Sequence, residues 1–305
     1  MLFRSRKPAS ASVHSLPPEL LHAIFGHLEH FTHSTLCACV STCRLWYEVA
    51  RPHLWSLAVF RGSGAQDKLY VFSLSNPDIT PFVKELRLLG NGEVPLDVKR
   101  LASTLHIFPA LQTLSLVAFD NRYTHSTDMY EVSRDKPIPL RKLSINSCSP
   151  GTLTLSALLC LFSIDTLELY LRSDQTIDSN SISTVSSSML HSVDLRHIFV
   201  EGASMFAMYV NPVFTPLLRP GTLQSFSGVL WYHHGTMCVH DFLRSAAARS
   251  LSRLSLQISI SPYSNSSGQV HLGTHRDSLF LISVCSLSDR PRTVYPAPQT
   301  ICSHS

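Results

Sequence analysis

Between Leu16 and Trp55 the apolar residues fall at helical spacing. Leu20, Leu21, Ile24, Phe25 and Leu28 share one face of a helix that opens on Pro17 and Pro18, where a missing N–H costs nothing. A second face runs through Leu36, Cys39, Val40 and Cys43, followed by Trp46 and Val49. Arg51-Pro52 is expected to close the segment, because the residue before proline is pushed out of the helical region. The pattern predicts a hairpin of about three short helices, too small to bury a core well by itself. Its first helix carries more apolar surface than one neighbour covers, so it is expected to dock on something else.

Residues 57–72 read as a loop around Gly62, Ser63 and Gly64 between two short extended pieces. Beyond them the alternation becomes period two, in segments that recur: VKELRL from Val83, LQTLSL from Leu111, LRKLSI from Leu140, IDTLEL from Ile164, LHSVDL from Leu190, LQSFSG from Leu223 and LSRLSL from Leu251. Their fourth residues, Leu86, Leu114, Leu143, Leu167, Val193, Phe226 and Leu254, lie 28, 29, 24, 26, 33 and 28 residues apart. Helical patterns fill the intervals. They are Asp97 to Ile107 with Val98, Leu101 and Leu105; Leu155, Leu158, Leu159 and Phe162; Met205, Phe206 and Tyr209; and Val239, Phe242, Leu243 and Ala246. A strand, a turn and a helix per ~28 residues is the unit of a solenoid with parallel strands on one face and helices on the other. With the leucines inside, Glu85, Arg87, Lys142, Glu168, Asp194 and Arg253 stand on the opposite, polar face among Ser and Thr. For any one of them a solvated surface is the simpler account; the face as a whole is the candidate for binding a partner.

The order LPPELL, IFGHL, STLCACVSTCRLW, PHLW resembles the F-box over roughly 45 residues. It departs at His30 to His33, where Thr or Ser replaces the usual acidic cap and leaves Ser34 or Thr35 to cap the next helix. The recurring segments resemble leucine-rich repeats in a degenerate form; only the unit from Leu140 to Cys148 keeps a cysteine near the family's turn position. The resemblance implies an α/β chain with a small helical F-box followed by a curved leucine-rich-repeat solenoid. It further implies a substrate-recognition adaptor of an SCF-type cullin–RING ubiquitin ligase, without catalysis of its own. Leu16, Pro17, Leu20, Leu21, Ile24 and Leu28 would contact the linker subunit and, through it, the cullin, some of them also serving the hairpin core. The repeats would hold a protein substrate. The alternative is a repeat scaffold that binds protein without directing ubiquitylation.

The implied division is a disordered leader at 1–12, the F-box at 13–57, a connector at 58–80, the repeats at 81–260, and a poorly defined cap and disordered tail at 261–305. Composition agrees: 305 residues hold two domains or one array, and 44% apolar content supports a core. A net charge of +4, with its one dense cluster at Arg4, Arg6 and Lys7, argues against nucleic acid as a partner. No run reaches the ~18 apolar residues of a membrane span; the nearest, Leu153 to Ile164, is broken by Thr154 and Ser156. Without the apolar core of a secretory signal, the eight cysteines read as reduced thiols and the sequon at Asn265 as unused. A cytoplasmic or nuclear location is expected.

No cofactor or metal is implied. His27, His30, His33 and Cys37 have ligand-like spacing but lack a fourth ligand or a CxxC pair, and Cys37, Cys39 and Cys43 have neither redox nor zinc spacing. His233, His234, His240 and Asp241 would suit a hydrolase, yet no nucleophile elbow or phosphate loop accompanies them. Trp46 is expected to pack the hairpin, and Trp55 to lie where the hairpin meets the repeats.

Overall fold

Pro18 begins the first of three consecutive helices, α1 (Pro18–Glu29), α2 (His33–Val40) and α3 (Arg44–Leu54). The computed structural model describes residues 16–29, 33–92, 94–121, 137–146, 148–150, 152–170, 193–201, 214–231, 242–259 and 279–284. Leu21, Phe25, Leu36, Val49 and Ala50 form the buried centre of the helical hairpin, and Leu28, Cys39, Leu45 and Trp46 pack against it. The Trp46 ring meets Phe25 edge-on at 5.5 Å, the packing role expected of it. Two local expectations are corrected. Pro52 lies inside α3, which runs on to Leu54. A proline there removes one hydrogen bond near the helix end, and the Trp55 amide still bonds the Arg51 carbonyl at 3.1 Å. α2 opens at His33, ahead of the residues expected to cap it.

The chain divides into two compact units, Met1–Ser183 and Thr184–Ser305. After the hairpin the first unit contains β1 (Leu57–Arg61), α4 (Ala65–Ser75), β2 (Glu85–Leu89), α5 (Val98–Leu105), β3 (Thr113–Val117), β4 (Asp120–Asn121), β5 (Ile138–Asn146), β6 (Ser149–Pro150), α6 (Thr152–Leu161) and β7 (Phe162–Tyr170). β1, β2, β3, β5 and β7 are neighbours in one parallel sheet, while β4 and β6 pair separately. The region expected as a connector, 58–80, is therefore a full strand and helix. Ala65–Ser75 escapes detection because its apolar residues do not keep to one face: Leu69 is buried, whereas Val71 and Leu74 are each 59% exposed.

Register explains the spacing of the leucines. Ala58, Leu86, Leu114, Leu143 and Leu167 align across the five strands, and so do Phe60, Leu88, Leu116, Ile145 and Leu169. Every one except Phe60 is buried. Full burial of each leucine contributes about 1.5–3 kcal/mol, so a register slip would forfeit a whole row at once. β2, β3 and β5 share a repeated backbone detail. The Lys84 and Glu85 amides both donate to the Ser56 carbonyl, those of Gln112 and Thr113 to Lys84, and those of Arg141 and Lys142 to Gln112. Two residues opposing one is a bulge, and it turns two successive polar side chains outward.

The helices are positioned by the same economy of residues. Asp97 caps α5 by accepting from the Arg100 amide at 3.0 Å, and the Gln66 side chain on α4 clasps the Asp97 backbone at 2.8 and 3.0 Å. Val98, Leu101 and Leu105 are buried as expected. In α6, Leu155 to Leu159 and Leu161 are buried, with Leu155, Leu158 and Leu159 in the core. Phe162, expected on that helix, instead starts β7. Cys148 is buried at the turn after β5; its thiol accepts from the Phe119 amide at 3.3 Å and lies 3.3 Å from the Asn146 carbonyl.

In the second unit β8 (His197–Glu201), β9 (Ser225–Trp231) and β10 (Arg253–Ser259) are parallel, and β11 (Leu279–Val284) runs antiparallel to β10. In the described part of the segment expected as a strand, Leu190 to Leu195, Val193 forms only a bridge to Leu218, and Ile198 is the residue aligned with Phe226 and Leu254. Both LHSVDL and the following LRHIFV carry the alternation, and pairing with Phe226 selects the second. Phe242 is buried against Phe226 with ring centres 5.2 Å apart. The helix expected to continue through Ala246 gives way to a 3-10 turn, Ala246–Ser250. The expectations for Met205, Phe206, Tyr209, Val239, the leader and most of the tail lie outside the described residues.

Candidate functional site

The six residues expected to meet a linker subunit separate into two groups. Leu21 is 1% exposed and belongs to the hairpin core, with Leu16 and Leu28 half-buried against it. Leu20 and Ile24, one turn apart on α1, are 52% and 45% exposed, and Pro17 is exposed just before them. The Pro17 carbonyl accepts from the Leu20 and Leu21 amides at 3.1 and 3.2 Å, which fixes the start of the helix and brings Pro17 next to that stripe. Helical periodicity alone cannot make this division, because the apolar stripe of α1 is wider than the contact its partner helices make.

A second candidate surface is the polar face of the sheet in the first unit. Leu57, Glu85, Thr113, Lys142 and Thr166 align along one row, and Val59, Arg87, Ser115, Ser144 and Glu168 along the next. Four of the six charges named from sequence are here, and they neutralise one another in part. Arg87 Nε lies 2.6 Å from Glu85 Oε1, and Lys142 Nζ lies 2.8 Å from Glu168 Oε1 on the adjacent strand. Both pairs are partly solvated, so each is worth little to stability. The bulges add residues that strict alternation assigns to the core side: Lys84 and Arg141 are exposed and Gln112 is half-exposed. Two consecutive polar residues between the apolar positions of each segment were the signal for them.

In the second unit His197, Ser225 and Arg253 share a row, with His197 Nδ1 2.8 Å from Ser225 Oγ. Arg253 is exposed on it. Asp194 is off this ladder, exposed and paired with Arg219 at 2.9 Å.

The hairpin is fastened to the strand–helix segment that follows it by aromatic and ionic contacts. The Arg51 guanidinium donates to the Asp78 backbone carbonyl at 2.9 Å, pairs with the Asp78 carboxylate and lies 5.2 Å over the Phe82 ring. Trp55 packs on Phe72 of α4 at 6.3 Å, so it does sit at the junction. Between hairpin and sheet opens a cleft of about 450 Å³, with Leu36, His53 and Leu54 on one side and Leu57, Lys84 and Arg87 on the other.

Among the described residues no group of three or more His, Cys, Asp and Glu side chains is placed to hold a metal ion. Nor is any described helix long and apolar enough to cross a membrane. Cys37 is exposed on α2 and His27 lies on α1; the side chains of His30 and His33, and the cluster from His233 to Asp241, are outside the described residues. No curated protein matches the chain. Residues 13–61, which span the hairpin and β1, match the family model described as F-box-like.

Proposed function

We propose that this protein is a substrate-recognition adaptor of an SCF-type cullin–RING ubiquitin ligase. The F-box-like hairpin binds the linker subunit, which ties it to the cullin, and a leucine-rich-repeat solenoid formed by the strand–helix units holds a protein substrate. The adaptor supplies proximity and no chemistry: a bound substrate meets the ubiquitin-charged enzyme at high effective concentration. It needs no cofactor and works in the cytoplasm or nucleus.

The observation that carries this reading is the stripe of Pro17, Leu20 and Ile24, left in solvent by a hairpin that has already filled its own core with Leu21 and Phe25. Apolar side chains kept exposed together on a helix are the anchors of a protein interface. The in-register rows of buried leucines and the Cys148 turn support the repeat reading.

Co-expression with linker and cullin subunits tests it. The wild-type chain is expected to co-purify with both, and Leu20→Asp with Ile24→Asp to lose them while melting at the wild-type temperature. Retained binding by that double variant rejects the docking face. A complex that forms but transfers no ubiquitin to any captured protein rejects the adaptor role in favour of a binding scaffold.

A further inference from the structure

The cleft where the hairpin meets the sheet joins an apolar wall to a positive rim. Leu54 comes from the hairpin, whose buried Leu36 also borders the cleft, and Leu57, like Val59 in the next row, is an apolar residue on a largely polar face of the sheet, 39% exposed. At the rim Lys84 has no carboxylate partner among the described residues, and Arg87 is answered by Glu85 beside it. Two strands along, the same bulge turns Arg141 outward next to Lys142, whose own charge is met by Glu168. Among the described residues Lys84 and Arg141 thus form no ion pair; they lie on one edge of the face, roughly 10 Å apart at the usual strand spacing, with Asp165 on the strand next to Arg141.

We propose that this cleft takes an extended acidic peptide segment of the substrate, an apolar side chain seated on Leu54 and Leu57 and carboxylates directed at Lys84 and Arg141. The inference rests on the adaptor reading above and names the substrate class. A volume of about 450 Å³ admits a few side chains, and the mixed lining suits a segment that alternates apolar and acidic residues. Single-stranded nucleic acid fits less well, because Glu85, Glu168 and Leu57 interrupt the positive surface and, among the described residues of this face, no row of aromatic rings offers stacking. Held here, the segment sits beside the hairpin and so at the ligase end of the repeats.

Fluorescence polarisation of the full chain, with a labelled peptide of alternating leucine and glutamate and its leucine–lysine counterpart, tests the proposal. The acidic peptide is expected to bind at least about tenfold more tightly than the basic one, and to lose about tenfold on Lys84→Glu and again on Leu57→Ser. Arg253→Glu, in the second unit, is expected to change nothing. Equal binding of the two peptides, or binding indifferent to Lys84→Glu and Leu57→Ser, overturns the proposal; so does an oligo-dT that binds more tightly than the acidic peptide and displaces it. Linker-subunit binding by the same preparations separates the two claims. Linker bound without peptide rejects the cleft alone, and peptide bound without linker rejects the adaptor reading alone.

Discussion

Leu20 and Leu21 are adjacent, chemically identical and differently employed. Leu21→Ala empties part of the hairpin centre and is expected to cost about 2–5 kcal/mol, whereas Leu20→Ala should change stability by less than ~0.5 kcal/mol. Urea unfolding of the full chain measures both, and equal losses would mean that α1 is rotated from the face described. Arg51 poses a different question, because its Nε is buried without a hydrogen-bond partner among the described residues while its other groups are engaged. Asp78 is largely exposed, so Asp78→Ala should cost under about 1 kcal/mol. Arg51→Ala, which also uncovers Phe82, should cost about 1–3 kcal/mol. The order of the two melting temperatures checks the claim. At this scale the candidate site was half legible: sequence gathered the six residues in and just before α1, but only the packing of α2 and α3 told core from surface.

The repeating element is a bulged strand with its following turn, and the turn after β2 shows how closely successive units approach. The Gly90 amide donates to the Val117 carbonyl at 2.8 Å, and a side chain at Gly90 would run into the Ala118 carbonyl oxygen. Gly92, two residues on, has a positive φ of 84° but open space around it. Gly90→Ala is therefore expected to destabilise by about 1–3 kcal/mol through a forced backbone shift, and Gly92→Ala by about 1 kcal/mol through strain alone. Urea midpoints that put Gly92→Ala first would contradict the close stacking of the β2 and β3 turns. Elements with a clean period were legible in advance: α1, α5 and the strands containing Leu86, Leu114, Leu143, Leu167, Phe226 and Leu254. α4 was not, since its exposed Val71 and Leu74 blur the stripe, nor was β8, because two successive segments satisfy the same alternation.

Within the first unit the hairpin and the sheet are not separable modules. Ser56 follows the Trp55 cap of α3, and its carbonyl takes both amides of the β2 bulge at 2.9 and 2.8 Å. A chain beginning at Leu57 loses Arg51 and Trp55 and uncovers Phe72 and Phe82. Its first unit is expected to melt at least about 4 °C lower, as followed by calorimetry. An unchanged transition would show that the hairpin contributes nothing to the sheet. The point substitutions in α1 are accordingly the cleaner way to test the proposed linker binding on an intact molecule.

Sequence by itself determined the helical opening, the parallel repeat and the polar face, because burial imposes a period of 3.6 on a helix and of two on a strand. Tertiary structure decided which leucines of α1 remain in solvent, that a strand and helix occupy the supposed connector, and that Lys84 and Arg141 turn outward. Those outcomes depend on which backbone groups find partners across strands, and no pattern along one strand contains that information.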